Sequence, residues 1–165
     1  MEIKVIYPGT FDPITYGHLD IIAKIEKIFN FIVIAIFENI EKKPLFNIKT
    51  RIKLVKNTTK KFKNIKKIIS FNNLLVHTAQ FEKINYIIRG IRTSLDFENE
   101  LNMFNINKKL YPKLENILFF PSPQYSCISS SLIKEIAKYG GSVNNYVPNL
   151  VRFALLKKYK NIKRY

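Results

Sequence analysis

A continuous apolar run constrains the fold of this chain more than any other feature. Residues 31–37 read FIVIAIF, with no polar side chain among them. A strand of this kind has both faces buried, which is typical of a parallel sheet covered by helices on each side. Shorter apolar runs recur along the chain, and segments with helical periodicity separate them. We predict strands over 3–7, 31–37, 65–70, 86–88 and 117–120, and helices over 18–29, 48–62, 74–83, 95–110, 130–139 and 148–160.

This alternation predicts an α/β fold: a Rossmann-like five-stranded parallel sheet with flanking helices. We expect a single domain over residues 1–160 and a frayed tail over 161–165. In the first helix, Ile21, Ile25 and Ile28 should face the core, and Asn47 should cap the second helix. Right-handed crossovers place the carboxyl ends of all the strands at one edge, where ligands bind in open α/β sheets.

The composition is strongly basic, with a formal net charge of +16 over 165 residues. The lysines are spread along the whole chain, and the densest stretch, 60–67, falls at a predicted helix-to-strand connection. We interpret this charge as a solvated surface and expect no nucleic-acid partner. No apolar run is long enough to span a bilayer, so we expect no membrane partner. The chain has one cysteine, which excludes an internal disulfide, and we expect a cytoplasmic location.

The stretch YPGTFDPITYGH, residues 7–18, follows the first strand directly. Gly9 removes a Cβ where a ligand would approach the backbone, and Pro13 restricts the loop. The helix then begins at Gly17-His18, so its free N–H groups and the positive end of its dipole should face the loop. The hydroxyl of Thr10 and the imidazole of His18 should point into one crevice. This stretch predicts a phosphate site.

Two further stretches follow strands and suit phosphate binding. Arg89 and Arg92 flank Gly90 after the fourth strand, and guanidinium forks match phosphate oxygens; either arginine alone could instead pair with an acidic residue of the next helix. The serines at 129–131 open a helix after the fifth strand. One serine there is a usual N-cap, but three hydroxyls with free amides suit a triphosphate.

These motifs resemble those of a known family. GTFDPITYGH is similar to the T/H-x-G-H signature of the nucleotidyltransferase superfamily, in the form found in the phosphopantetheine adenylyltransferase family. KKPLF at 42–46 resembles that family's K-K-P-x-F, IRGIR at 88–92 with DFENE at 96–100 resembles I-R-G-L-R…D-F-E-Y-E, and ISSS at 128–131 resembles I-S-S-S. The motifs occur in family order over nearly the whole chain.

The resemblance implies reversible adenylyl transfer from ATP to 4′-phosphopantetheine, which gives dephospho-coenzyme A and pyrophosphate in coenzyme A synthesis. It implies direct in-line attack, with Mg²⁺ bound through the ATP phosphates and no metal ligand from protein side chains. It also implies a homo-oligomer, a hexamer in the family.

The resemblance assigns roles to individual residues. His18 would stabilise the transition state, with Thr10, Lys42 and Arg92 as further catalytic residues. Thr10, Lys42, Leu75 and Arg89 would bind 4′-phosphopantetheine. The residues implied in ATP binding are Thr10, Phe11, His18, Gly90, Ile91, Arg92, Glu100, Tyr125, Ser126, Cys127, Ile128, Ser129, Ser130 and Ser131.

The chain departs from the family pattern at four positions. Asn99 stands where the family commonly has tyrosine, and Asn73 where it often has aspartate. Cys127 replaces an aromatic residue, and Tyr125 replaces a common tryptophan. These changes concern the adenine and pantetheine contacts rather than the phosphate groups. We expect Cys127 to be a small buried hydrophobic residue without a chemical role.

Two alternatives stay open at the level of sequence. The first is another adenylyl- or cytidylyltransferase, acting on an acceptor such as nicotinate mononucleotide or glycerol phosphate; the KKPLF and IRGIR stretches speak against it. The second is a basic nucleic-acid-binding domain, which rests on net charge alone. The chain has neither the aromatic-basic strands of an RNA-recognition fold nor zinc-finger spacing.

Overall fold

The computed structural model describes residues 3–38 and 43–159, and a parallel sheet of five strands organises them. The order of the strands across the sheet is β3-β2-β1-β4-β5. All neighbouring pairs are parallel. This confirms the predicted fold class. The strands are β1 (Lys4–Gly9), β2 (Phe31–Phe37), β3 (Ile65–Phe71), β4 (Tyr86–Gly90) and β5 (Glu115–Phe119).

Helices connect the strands and cover both faces of the sheet. Every helix predicted from periodicity is present, although most bounds differ by one to four residues. A short 3₁₀ turn at Pro123–Tyr125 was not predicted. Among the described residues, no helix combines the length and the apolarity that a bilayer crossing needs. The helices are α1 (Tyr16–Glu26), α2 (Ile48–Thr58), α3 (Leu75–Phe81), α4 (Ser94–Leu110), α5 (Ser130–Lys138) and α6 (Asn149–Tyr159).

The apolar run of β2 is buried on both faces, as its sequence predicts. Ile32, Ile34 and Ile36 lie in the larger core layer, which includes side chains of α1, α2, α5 and α6. Val33 and Ala35 face the opposite layer, where α3 packs. Because successive side chains of a strand alternate between faces, a run without polar residues requires this covering on both sides.

Two local predictions had different outcomes. Asn47 caps α2 as expected: its Oδ1 accepts a hydrogen bond of 2.9 Å from the N–H of Thr50. Ile21 and Ile25 are buried, but the prediction that Ile28 faces the core is wrong, since it is 62% exposed. Helix α1 ends at Glu26, so the helical periodicity no longer determines where Ile28 points.

The strand order creates a topological switch beside β1. From β1 the chain proceeds to β2 and then β3 on one side, and it then returns to place β4 and β5 on the other side. The loops after β1 and β4 therefore leave the sheet in opposite directions, and a crevice opens between them. The predicted phosphate-binding stretches follow these two strands and β5. The last predicted domain residue, 160, and the tail 161–165 lie outside the described residues.

Candidate active site

A cavity of about 470 Å³ lies at this switch, at the carboxyl ends of β1 and β4. It brings together most of the residues that the sequence singled out. Asn99, at one of the positions where the chain departs from the family pattern, also lines it. The predicted site residues in its lining are Thr10, His18, Arg89, Gly90, Arg92, Glu100, Tyr125, Ile128, Ser129, Ser130 and Ser131.

Other predicted site residues lie outside the lining. Phe11 and Ile91 are buried in the protein interior. Leu75 is half-buried and packs against the core layer on the α3 side of the sheet. Ser126 and Cys127 are in the segment that borders the cavity but do not line it. Lys42 lies outside the described residues.

Cys127 corrects a prediction. We expected a buried hydrophobic residue, but the thiol is free and exposed. The neighbouring Ile128 is the buried residue of this segment. The sequence alone did not indicate which of the two adjacent apolar residues faces inward, because the segment is neither helix nor strand.

The loop after β1 is shaped by an aromatic ring. Phe11 adopts a positive φ of 45°, and its ring packs over Gly9. A Cβ added to Gly9 would lie 3.0 Å from the Phe11 ring, which is tighter than most side-chain contacts. Any larger residue at position 9 would therefore have to displace the Phe11 ring by a few tenths of an ångström. The same ring lies 5.0 Å, centroid to centroid, from the imidazole of His18, which it supports.

His18 is held by the N-terminal cap of α1. Thr15 is the cap residue, and its backbone N–H donates to Nδ1 of His18 at 3.1 Å. Its hydroxyl lies 2.9 Å from the same nitrogen. Because an N–H points at Nδ1, that nitrogen accepts and cannot bear the proton of a neutral ring. The proton is then on Nε2, the nitrogen on the other side of the ring, which makes Nε2 the hydrogen-bond donor of a side chain that lines the cavity.

The surroundings of His18 favour the neutral ring. Desolvation lowers the pKa of His18, and the positive charge of Arg92 lowers it further, to about 4. A second proton would also have to sit on Nδ1, facing the N–H of Thr15. His18 is therefore a neutral donor at physiological pH rather than a cation or a general base.

Arg89 and Glu100 form a partly buried pair on the wall of the cavity. Arg89 Nε lies 2.9 Å from Glu100 Oε2, yet the alignment does not make a hydrogen bond, and within the described part of the chain both atoms lack a partner. Burial lowers the pKa of Arg89 and raises that of Glu100, and each effect is opposed by the charge of the other residue. Burial likewise raises the pKa of the neighbouring Tyr7 hydroxyl, so it stays protonated.

Arg92 is fixed by a bidentate contact. Its Nε and Nη2 donate to the two carboxylate oxygens of Asp96 at 2.9 and 3.1 Å. Burial raises the pKa of Asp96, but hydrogen bonds from Arg92 and the charge of Arg92 outweigh this and hold the pKa below its usual value. Nη1 of Arg92 reaches the carbonyl of Ile128 at 3.2 Å. The sequence left open that Arg92 pairs with an acidic residue of the next helix, and it does pair with Asp96 of α4. The same Arg92 side chain also lines the cavity.

The three serines at the start of α5 have different roles. Ser129 is the N-cap, and its hydroxyl accepts from the N–H of Leu132 at 3.1 Å. The hydroxyl of Ser130 donates to the carbonyl of Pro13 at 2.8 Å, which ties α5 to the loop after β1. Ser131 is exposed and lines the cavity. Two of the hydroxyls therefore position the site, and all three serines at this helix start line the cavity.

The N-terminus of α1 offers fewer free amides than the sequence led us to expect. The helix begins at Tyr16, two residues before the predicted start. The N–H of Tyr16 donates to the carbonyl of Tyr146, and that of His18 faces the hydroxyl of Thr15 at 3.5 Å. Two of the first amides of this helix thus already face protein acceptors, while Gly17 and His18 both line the cavity.

A carboxylate on α1 holds the segment that borders the cavity after β5. Asp20 accepts hydrogen bonds of 2.8 Å from both the N–H and the hydroxyl of Ser122. Lys24 pairs with Asp20 at 2.9 Å and donates to the carbonyl of Phe120. Burial raises the pKa of Asp20, but the hydrogen bonds from Lys24 and Ser122 outweigh this and hold the pKa below its usual value. Sequence reasoning missed Asp20, because its partner lies 102 residues away.

We expect His18 to titrate far below an ordinary histidine. In the folded chain its NMR signals should change with a midpoint near pH 4, against about 6.5 in the urea-unfolded chain, because burial and Arg92 disfavour the charged ring. The variant His18→Gln assigns the signal, since the chain has two histidines. A folded-state midpoint at or above 6 would show that burial and Arg92 do not disfavour the charged ring.

We expect Asp20→Asn to loosen the segment 121–128. Loss of the charge-assisted hydrogen bonds should speed amide hydrogen exchange at Ser122 by about tenfold or more. Glu135→Gln, which neutralises an exposed acid on α5, is the matched control and should leave this rate unchanged. Equal exchange in both variants would show that Asp20 does not hold the segment.

Comparisons with known proteins agree with this geometry. Residues 6–136 match the cytidylyltransferase-like family. The phosphopantetheine adenylyltransferase of Buchnera aphidicola subsp. Schizaphis graminum is 55% identical over 162 residues, 98% of either chain. The enzyme of that name from Hamiltonella defensa is 45% identical over 157 residues, which is 95% of this chain and 100% of the relative.

Solved structures support the fold. Plasmodium falciparum nicotinic acid mononucleotide adenylyltransferase, solved with NaAD and with APC, superposes with TM-scores of 0.69 and 0.68 over 98% of this chain and 97% of that chain. The sequence identity is only 18% in both cases, so this likeness concerns the fold alone. On the family match and the full-length identity, the chain belongs to the cytidylyltransferase-like family and, within it, to the phosphopantetheine adenylyltransferases.

Proposed function

We propose that the chain transfers an adenylyl group from ATP to 4′-phosphopantetheine, giving dephospho-coenzyme A and pyrophosphate. The observation on which this rests is the combination of full-length identity of 45–55% to enzymes of that name with a cavity in which the motifs after β1, β4 and β5 meet. An oxygen of the 4′-phosphate attacks the α-phosphorus of ATP in line. The bond from that phosphorus to the bridging oxygen breaks, and pyrophosphate leaves with the electron pair.

The chemistry needs positioning and charge stabilisation more than acid–base catalysis. The attacking phosphate is already an anion, so no group has to deprotonate it. A neutral His18 with its proton on Nε2 suits this task, because it donates a hydrogen bond to the α-phosphate oxygens as their negative charge increases. The neutral ring does not remove a proton from the acceptor. It also carries no positive charge that would stabilise the bound substrates before the reaction begins.

The acceptor side is formed by the loop after β1 and the end of β4. We assign Thr10 and Arg89 to the 4′-phosphate, since both line the cavity. Arg89 suits this role because its pairing with Glu100 involves Nε, and the two Nη groups of the guanidinium carry further donors for phosphate oxygens. Leu75 is assigned to the pantetheine arm. Lys42 is assigned to the acceptor phosphate on the sequence motif alone.

The ATP side is formed by the end of β4, the start of α4 and the segment 125–131. Arg92 is pre-oriented by Asp96, and its guanidinium still has donors to spare for phosphate. Ser131 and the first-turn amides of α5 are assigned to the leaving phosphates. The further residues assigned to ATP are Thr10, Phe11, Gly90, Ile91, Glu100, Tyr125, Ser126, Cys127, Ile128, Ser129 and Ser130.

Mg²⁺ fits this site as an ion carried by the nucleotide. Asp96 and Glu100, the carboxylates in the cavity lining, are paired with arginines. Within residues 3–38 and 43–159 no cluster of three or more acidic, histidine or cysteine side chains could hold a metal. Bound to ATP, Mg²⁺ would neutralise phosphate charge, and the residues of this chain would hold the phosphates to which it is attached.

A substrate panel tests this proposal. With ATP and Mg²⁺, the chain should release pyrophosphate with 4′-phosphopantetheine and not with nicotinate mononucleotide or glycerol 3-phosphate. His18→Ala should lower kcat by about 10²–10³-fold with a small change in KM, because the interaction strengthens in the transition state. His77→Ala, which removes an exposed histidine on α3, is the matched control. Turnover of a different acceptor, or normal kcat in His18→Ala, would contradict the assignment.

We also propose that the enzyme is a cytoplasmic homohexamer, as the family resemblance implies. Helix α4 supports an interface between copies, because it covers the edge strand β5 and leaves several large apolar side chains exposed. Such a row on an outer helix is typical of a subunit contact. These side chains are Phe97, Leu101, Met103, Ile106 and Leu110.

We expect a native mass six times that of one chain, and Leu101→Lys should shift it to smaller species by placing charge in the contact. Phe81→Lys alters an equally apolar, exposed residue on α3 and is the control. Native mass spectrometry distinguishes the outcomes. A wild-type monomer would contradict the proposal, and a Leu101→Lys hexamer would exclude this face.

A further inference from the structure

A fully buried arginine outside the cavity connects the segments that build it. Arg51 on α2 is only 1% exposed. Its Nη1 donates to the carbonyls of Thr10 and Phe37, both at 2.7 Å. Its Nε donates to the carbonyl of Phe46 at 3.0 Å. One guanidinium thus joins the loop after β1, the last residue of β2 and the segment before α2.

A second charged contact holds the same junction from the other side. The buried carboxylate of Asp12 accepts hydrogen bonds of 2.9 Å from the N–H groups of Leu45 and Phe46. Lys134 on α5 pairs with it at 3.0 Å. The segments 10–12 and 45–46 are therefore cross-linked twice, once through carbonyls and once through amides.

This arrangement fixes the orientation of Thr10. Its carbonyl is directed inward to Arg51, while its side chain is exposed in the lining of the cavity. A peptide whose carbonyl is held cannot rotate without moving the attached side chain. Arg51 itself is absent from the lining, so any effect on a ligand has to pass through the residues that it holds.

We infer that Arg51 is a positioning residue for the acceptor half of the site: it holds Thr10 in the orientation that binds the acceptor phosphate. The inference rests on the proposed function. The alternative is that Arg51 only stabilises the fold. In that case its replacement would weaken the binding of both substrates to the same extent, or of neither. A displacement near 1 Å at a positioning group can cost up to about 10²-fold in rate, so the two cases are distinguishable.

The experiment compares Arg51→Lys with the wild type in steady-state kinetics. Lysine keeps the charge but cannot donate to three carbonyls at once. We expect KM for 4′-phosphopantetheine to rise about tenfold, because Thr10 is one of only four residues assigned to the acceptor. KM for ATP should change less than twofold, because Arg92 and the segment 125–131 hold most of the proposed ATP contacts and do not touch Arg51. Arg152→Lys, at a partly buried arginine of α6 that donates to Asn144, is the matched control and should leave both constants unchanged.

Hydrogen exchange gives a readout that does not depend on activity. In Arg51→Lys the amides of residues 10–12 should exchange faster, whereas those of Ser122 and its neighbours should not. Arg51→Gln, which keeps an uncharged donor, should show the same split in KM if the lysine variant is poorly expressed. Failure of both variants to fold would overturn the inference, since Arg51 would then be a general determinant of stability.

The remaining outcomes separate the two proposals. A wild-type chain that does not turn over 4′-phosphopantetheine overturns the proposed function. An active wild type with an unchanged acceptor KM in Arg51→Lys overturns the inference alone, as does an equal rise in both KM values. A selective rise for the acceptor with faster exchange at 10–12 supports it.

Discussion

The order of the parallel strands is the constraint on which the rest of this structure depends. Strand β1 is paired on both sides, with β2 and with β4, and every register is parallel. The carboxyl ends of β1 and β4 are therefore fixed relative to one another by the hydrogen-bonded sheet. The loops that leave these two strands diverge, and the cavity opens between them. The sheet itself holds the two sides of the cavity in place, so no additional helix or strand is needed for this. Loops that begin on such a scaffold need few further contacts to become well positioned.

Those further contacts are made largely by helix caps. The helices after β1, β4 and β5 begin with Thr15, Thr93 and Ser129, and each hydroxyl accepts from the N–H three residues on. In the first two cases the residue at that third position has a functional contact: His18 lines the cavity, and Asp96 holds Arg92. N-terminal capping, a local rule of helix formation, thus helps to orient the imidazole of His18 and, through Asp96, the guanidinium of Arg92. Preorganisation of this kind lowers the reorganisation needed during the reaction.

The sequence was sufficient for the parts of the structure that follow from local patterns. The unbroken apolar run of β2 predicted its burial on both faces, and the motifs after β1, β4 and β5 predicted which loops meet. What failed depended on distant partners. Nothing near Asp20 in the chain indicates that it holds Ser122, and the buried clamp of Arg51 on the loop after β1 looks, in sequence, like one more basic residue of a helix. Cys127 was misplaced because its segment has no periodicity.

The charge of the chain and the charge of the site are separate properties. The net charge of +16 suggests a strongly cationic pocket, yet Arg89 and Arg92 in the cavity are paired with Glu100 and Asp96. On the proposed function, anionic substrates would be recognised by fixed donors, the spare guanidinium N–H groups and the Nε2–H of His18, rather than by excess positive charge. Short-range donors of this kind are screened by salt far less than exposed charges are. The selectivity of the site therefore depends on where its donors are held, and the buried groups that hold them matter as much as the residues that touch the ligand.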